Sequence, residues 1–429
     1  LERTWPIGNH LKNEEAEGLF KWIGENIIAV VRDGIDKLGI SPDIDLPMGV
    51  TFSFPMEQRS LSQATLMAMG KGFAITSKLD LGEHLMKGYD SHWTPGLPRI
   101  KIAAISNDSV ATLVSHIYQY PESNNKKAFM GLIVGTGCNA TIPLKLSSLQ
   151  ASKRPESVSV LPGQEDDDVR IAVNTEWSIN GSAPPLRKLG LISSWDKELD
   201  DAGEVPGFQP LEYMTAGRYL GELARIIFLD YLTNVLQLSP ETFPTKLRTR
   251  FGLTTTFISH FYHGSKKGPM LDQLQDEFRS QDEPSFPWTQ EHAEALHDIA
   301  KAIERRAAGI IAAATLALLA CAEALPPWHE PASEFKGQRS KYEVVVGWTG
   351  GCIQHFQNYL QDCQQFLDEA LCLRFDGEGP VRVVLSPCHD GGIKGAGILV
   401  PAALASQSTR FDEGHFHPTV FMSTTAFRS

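Results

Sequence analysis

The chain has 429 residues, 42% apolar and 21% charged, with 36 Gly and 26 Pro. These proportions exclude a collagen, a coiled coil and a disordered chain, and at about 100–200 residues per domain the length predicts two or three domains. The balance of 39 Lys and Arg against 51 Asp and Glu leaves a net charge of −12. That excludes non-specific nucleic-acid binding but not a nucleotide, whose phosphates are held by local amides and helix ends rather than by net charge.

In chain order, residues 14–38 place Leu19, Trp22, Ile23, Ile27, Ile28, Val31 and Ile35 at helical spacing. LPMGVTFSFP (46–55) reads as a strand ending at Pro55, and RIKIAAISND (99–108) as a second strand stopping on a polar pair. SVATLVSHIYQY (109–120) follows as a helix, AFMGLIVGTGCNATI (128–142) as strand, glycine turn and strand, and DVRIAVNTEW (168–177) as a strand. Helices are predicted over 211–238 and 290–325. The last third returns to alternation: the strand YEVVVGWTGG (342–351), a helix over 353–371, the strand VRVVLSP (381–387), and a helix opening at DGGIKGAG (390–397). Such alternation predicts an α/β protein with sheet and helix layers. Segments 147–167, 277–288 and 405–429 carry loop composition, the first as an exposed insertion.

Six Cys without a C-x-x-C pair are too sparse for a disulfide framework, which predicts reduced thiols and a cytoplasmic location. Cys352 with His355, and Cys388 beside His389, lack the second close pair that a metal site needs, so no metal site is expected. LERTWPIGNH at the start has no apolar signal region. AAGIIAAATLALLACA (307–322) is Ala-rich and shorter than the ~20 residues of a membrane span, and reads as a buried helix.

Three polar clusters close apolar strands: Ser53, Asn107–Asp108, and Asn174–Thr175–Glu176. Each alone fits a turn or a helix cap, and Asn107 and Asp108 suit a cap. Together they also fit a shared polar site, because ligands of open α/β sheets bind beyond the carboxyl ends of strands. Two glycine turns suit phosphate. GTG at 135–137 lets a ligand approach the backbone, and DGGIKGAG sits where free amides and the helix dipole favour anions. Neither is a P-loop or a G-x-G-x-x-G fingerprint.

In this order the motifs resemble the hexokinase family, from about Glu14 to Ala405. LPMGVTFSFP resembles its sugar-binding strand, KGF (71–73) the end of its T-K-G-F loop, and SNDSVATL (106–113) its N-D-T/S-V-x-T-L catalytic motif. GLIVGTGCNA resembles the G-T-G-x-N turn, NTEW (174–177) its sugar-binding counterpart, PLEYMTAGRYLGELAR (210–225) the helix with L-G-E-x-x-R, and DGGIKGAG the adenosine-side turn. The resemblance implies a two-domain actin-like ATPase (ribonuclease H-like) fold with a central sugar/ATP cleft. It implies a small domain over 1–106, incomplete at its N-terminus, a large domain over 107–404 and a tail over 405–429. The implied reaction moves the γ-phosphoryl group of ATP to the 6-hydroxyl of glucose or N-acetylglucosamine. Asp108 is the implied base, with Lys71 beside it in the catalytic set. Ser53, Lys71, Asn107, Asp108, Asn139, Glu176 and Glu212 would hold the sugar. Gly135, Thr136 and Gly137 would contact phosphate, and Gly391, Gly392 and Gly395 the nucleotide. Mg²⁺ would arrive with ATP, and the implied state is a monomer or homodimer.

The departures from the pattern are local. Gly70 stands where typical members carry Thr, which removes a hydroxyl beside the sugar. The context MGKGFAITS (69–77) resembles a divergent fungal branch that includes N-acetylglucosamine kinases and regulatory hexokinase-like proteins. GWTGG (347–351) replaces the usual D-G-S, and Gly392 a common Ser. The family's first phosphate motif, D-x-G-G-T-N-x-R, is expected to precede residue 1. An alternative is therefore a catalytically inactive, sugar-sensing protein on the same scaffold.

Overall fold

The alternating elements are present in the computed structural model, which describes residues 1–12, 15–67, 73, 75, 78–120, 123, 125–155, 158, 169–177, 182–282, 284–335 and 342–408. The chain divides into two compact units that interleave along the sequence. One comprises 1–120, 141–175 and the chain from Asp390 on; the other comprises 121–140 and 176–389. This partition differs from a single cut near residue 106, because the last helix packs on the first strand and on the helix that follows residue 106. Gly49 abuts the backbone of Ala396 so closely that a side chain there would overlap it.

In the first unit, the helix Ala16–Leu38 buries Leu19, Phe20, Ile28 and Val31 and stops at Gly39 in the left-handed region, φ 66°. It crosses the helix Leu81–Asp90 at a glycine pair. A Cβ on Gly24 would overlap the Gly88 carbonyl, and one on Gly88 the Phe20 carbonyl. The strands Leu46–Thr51 and Ile100–Ser106 pair in parallel, ending on Thr51 opposite Ser106. The strand expected to reach Pro55 thus stops early, because its partner ends where Asn107 begins the helix Asp108–Gln119; one last bond joins Phe52 N–H to the Ser106 carbonyl at 3.0 Å. Met56–Ser60, Gln63–Leu66 and Leu79–Asp80 form a small antiparallel sheet. Thr141–Lys145 pairs antiparallel with Arg170–Asn174. Of the expected insertion, 3₁₀ turns at Leu146–Ser148 and Ala151–Lys153 are described, while 156–157 and 159–168 lie outside the described residues. The helix Gly391–Ser408 runs past the expected tail boundary, and 409–429 lie outside the described residues.

In the second unit, Val381–Pro387, Tyr342–Thr349 and Lys126–Val134 pair side by side in parallel. Their near-continuous apolar runs, with Val344, Val345, Val346 and Val383 fully buried, are those of strands covered on both faces. The helix Gln290–Cys321 starts from a Thr289–His292 capping box and buries Ala307, Ala308, Ile311 and Ala312, so the Ala-rich run is core. Among the described residues no helix is long and apolar enough to cross a membrane. The helix expected over 211–238 is broken into Pro210–Thr215, Leu220–Asp230 and a π turn at Tyr231–Val235. The helix expected over 353–371 becomes Gly351–His355 and Tyr359–Phe375, parted at Asn358 with φ 67°. All six cysteines are free thiols, and burial pushes Cys363 up to about 12.

The glycine crossing admits no side-chain relief, since the overlapping atoms are backbone. Gly24→Ala is expected to cost about 3 kcal/mol in urea unfolding. Gly39→Ala, which faces open space but sits at φ 66°, should cost only about 1–2 kcal/mol.

Candidate active site

In the first unit the site residues are set by how a strand ends. The apolar run Ile100–Ser106 stops at Asn107, whose Oδ1 accepts from Ser109 N–H at 3.0 Å and Ser109 Oγ at 2.8 Å. Asn107 is thus the N-cap of the helix that follows. Ser109 Oγ also meets Thr141 Oγ1 at 2.7 Å and Asn174 Oδ1 at 3.4 Å. Asn107, Ser109, Thr141 and Asn174 are all buried, which ties the first helical turn to the Thr141–Lys145 and Arg170–Asn174 strands. Asp108 is the first residue of this helix and half-buried, where the helix dipole favours a carboxylate. Ser109 and Thr141 are not among the residues read from the sequence, although the serine of the N-D-S triplet carried the signal.

Ser53 lies two residues beyond the Thr51 strand end and is exposed. Lys71 and Gly70 lie outside the described residues. Gly391 and Gly392 open the last helix, and Gly392 faces Thr51, with 3.4 Å from its Cβ direction to Cγ2. Gly395 has a packing reason of its own: any side chain there would overlap the Ala111 carbonyl.

In the second unit the turn Gly135–Gly137 is fixed by its own backbone. Gly135 N–H donates to the Gly137 carbonyl at 2.9 Å, while the Gly135 and Thr136 carbonyls accept from Gly217 N–H at 2.7 Å and Arg218 N–H at 3.1 Å. The long helix breaks at Ala216–Tyr219 because those amides serve the turn instead of the helix. Among the described residues the amides of Thr136 and Gly137 donate to no protein acceptor, which leaves both available to an anion. Gly350 backs onto this turn at φ 125°, where a side chain would overlap the Val134 carbonyl. The departure at GWTGG therefore places a glycine where the backbone requires one.

Arg218, also absent from the sequence reading, brings a cation beside the turn. It pairs with Glu204 at 2.8 Å and lies over the Phe251 and Tyr219 rings at 5.3 and 5.8 Å. Burial, with Asp200 and Glu212 nearby, pushes the Tyr213 phenol up to about 12, and burial with Glu212 raises Tyr219 further.

The expected sugar ligands of this unit gather about Cys138–Ala140. Asn139 Nδ2 donates to Glu176 Oε1 at 3.2 Å, and Asn139 Oδ1 accepts from Ala140 N–H at 2.7 Å. Glu212 Oε2 accepts from Cys138 N–H at 3.0 Å, and Trp177 Nε1 donates to Cys138 Sγ at 3.3 Å. Glu176 and Glu212 are buried, and Glu176 is held at φ 43°, a conformation costing a non-glycine residue about 1–2 kcal/mol and concentrated at functional sites. An ionised carboxylate has about four acceptor positions, which suits a polyhydroxy ligand.

Glu222 and Arg225 of the L-G-E-x-x-R helix form a buried bidentate pair at 2.8 and 2.6 Å. Glu222 also accepts from Phe251 N–H at 2.5 Å, and Arg225 donates to the Leu247 carbonyl at 3.0 Å. This motif is a clamp on the 247–251 loop. Glu222→Gln leaves a buried guanidinium uncompensated and should cost about 3–5 kcal/mol, measured by urea unfolding. At the turn, Gly350→Ala should lose about 1–3 kcal/mol of stability, measured in the same way.

Among the described residues no three His, Cys, Asp or Glu side chains group as a metal site. Two family models, both described as hexokinase, match residues 1–118 and 129–402. Glucokinase-1 of Saccharomyces cerevisiae is 26% identical over 407 residues, covering 91% of this chain and 76% of that protein. Hexokinase-1 of Spinacia oleracea is 27% identical over 400 residues, 93% of this chain and 72% of that one. The solved structure of a hexokinase from Schistosoma mansoni complexed with glucose superposes with a TM-score of 0.70 at 24% identity, over 93% of this chain and 78% of that one. That likeness gives the fold, the two-domain actin-like ATPase type. With both family models matched in order along the sequence, the chain belongs to the hexokinase family of ATP-dependent sugar phosphotransferases.

Proposed function

We propose that the protein transfers the γ-phosphoryl group of ATP to the 6-hydroxyl of a hexose, and that the hexose is glucose. The observation that carries this reading is the buried Asn107–Ser109–Thr141–Asn174 network, which holds Asp108 at the start of its helix. A base must sit within hydrogen-bond reach of the hydroxyl that it deprotonates. A carboxylate on a rigid, capped first turn can hold that position while phosphoryl transfer proceeds mainly by alignment.

In this reading Asp108 accepts the 6-hydroxyl proton. Asn107, Asn139, Glu176 and Glu212 orient the sugar hydroxyls, with Ser53 and Lys71 added from the family pattern. The free amides of Thr136 and Gly137, next to Gly135 and with Arg218 beside them, take the phosphates, and Gly391 and Gly392 face the nucleotide. Mg²⁺ enters bound to the ATP phosphates. The family pattern divides the sequence into a small domain over 1–106 and a large one over 107–404, a division distinct from the interleaved compact units, and the free thiols suit a cytoplasmic setting. Glucose is preferred because the yeast relative is named a glucokinase and the Schistosoma enzyme was solved with glucose. The argument for N-acetylglucosamine rests on Gly70, outside the described residues, and on the resemblance of MGKGFAITS (69–77) to the divergent fungal branch.

Asp108→Asn should lower kcat about 10²–10⁴-fold with an unchanged far-UV spectrum and Tm. Turnover within threefold of the parent would remove the base assignment. Initial rates on glucose, mannose, fructose and N-acetylglucosamine test the substrate, and a higher kcat/KM on N-acetylglucosamine would reassign it. Sugar binding without turnover on any of them would make the protein a sugar sensor.

A further inference from the structure

We propose that a cavity in the second unit, with Glu304 in its wall, binds a small organic ammonium ion. The cavity holds about 140 Å³. At about 30 Å³ per water, that is room for a few waters or for an amine of three or four heavy atoms. One wall is a single face of the helix Gln290–Cys321, where His297, Lys301 and Glu304 recur at helical spacing. The rest of the lining includes the rings of Phe261, Tyr262 and Phe356, with Ile258, Gln357 and Asn358 beside them.

Glu304 is 2% exposed, and its Oε1 is buried without a hydrogen-bond partner. Leaving such an acceptor unpaired costs about 1–3 kcal/mol, which a donor from a ligand would recover. The charged and titratable neighbours do not fill that role. Lys301, one turn away, is exposed and forms no ion pair among the described residues. The Arg305 guanidinium lies over the Phe366 ring at 5.6 Å. His297 is tied through Nδ1 to the Phe261 carbonyl at 3.1 Å, and His263 through Nε2 to Glu294 at 3.1 Å. Burial, with Asp362 of the helix Tyr359–Phe375 adding negative potential, pushes the Glu304 carboxyl up to about 8 against the smaller opposing pull of Arg305 and Lys301.

These features select the ligand class. Two acidic groups disfavour an anion. No three His, Cys, Asp or Glu side chains group as a metal site among the described residues, and one carboxylate lines the cavity where a hard cation favours several. Aromatic rings lining a cavity with one desolvated carboxylate are the chemistry that recognises an alkylammonium ion, by cation–π attraction and an N–H bond to the acid. Glu304 lies outside the residues assigned to phosphoryl transfer, so binding here is separable from turnover.

Isothermal titration of the full chain with ethylammonium chloride tests this, against ethanol and potassium chloride at equal ionic strength. Saturable binding of ethylammonium alone is expected, at least tenfold tighter than either control. Glu304→Gln should weaken it at least tenfold while glucose phosphorylation stays unchanged. The cation pairs with ionised Glu304, whose pKa in the free protein lies near 8. Affinity should therefore rise about tenfold from pH 7 to pH 9, while the amine, with a pKa of about 10, remains protonated. Equal binding of ethanol or potassium, a pH-independent affinity, or full affinity in Glu304→Gln would each overturn the site. If Glu304→Gln fails to fold, the parent's ethanol comparison and pH series decide.

Discussion

The helix cap at Asn107 is the constraint on which the first unit turns. One side-chain oxygen accepts two bonds from Ser109, and three consequences follow. The strand Ile100–Ser106 ends, which also ends its parallel neighbour at Thr51. The helix begins with Asp108 as its first residue. Ser109 Oγ, oriented by the cap, reaches Thr141 and Asn174 and fastens two further strands to the same turn. A cap is ordinarily worth about 1 kcal/mol. Here its larger effect is geometric, since it sets where a half-buried carboxylate stands. Capping and chemistry are therefore not competing explanations of the Asn-Asp pair: the cap positions the acid.

The second unit solves a different problem, close backbone approach. The Gly135–Gly137 turn is held from one side by the amides of Gly217 and Arg218 and backed from the other by Gly350. Each neighbour has given up regular structure to be there. The helix breaks at Ala216, and Gly350 takes a conformation that L side chains rarely adopt. A turn braced in this way is pre-organised, so its two unspent amides need not reorganise when an anion arrives.

Much of this was legible in the sequence, and the gaps have physical causes. Strands such as Val381–Pro387 were readable to the residue because an apolar run bounded by Pro and polar residues has few other fates. The long helix Gln290–Cys321 was readable because its periodicity persists over many turns. The two broken helices were not. Ala216 and Asn358 interrupt them through contacts with the glycine turn and through a left-handed residue, and neither changes the local apolar period. The interleaved units were hidden for the same reason: the close fit of Gly49 and Gly395 to distant backbone is long-range. At the candidate site, Asn139, Glu176 and Glu212 were identifiable as motif members, but their gathering about Cys138–Ala140 is a property of the fold.

The motif residues divide by what their polar atoms already do. Glu222 and Arg225 spend theirs on each other, on Phe251 and on Leu247, with every contact internal and buried. A group so engaged can stabilise but has little left to offer a substrate. Glu176 and Glu212 are buried to the same degree, and each accepts here from a small donor, an amide side chain or a backbone N–H. Glu176 does so in a strained backbone conformation, which folding energy from elsewhere must sustain. Burying a carboxylate without a cation to balance it is costly unless donors reach it. On the proposed reading a sugar, presenting several hydroxyl donors in fixed directions, matches the acceptor chemistry of these two acids, which is why a neutral polyhydroxy ligand suits them better than an anion would.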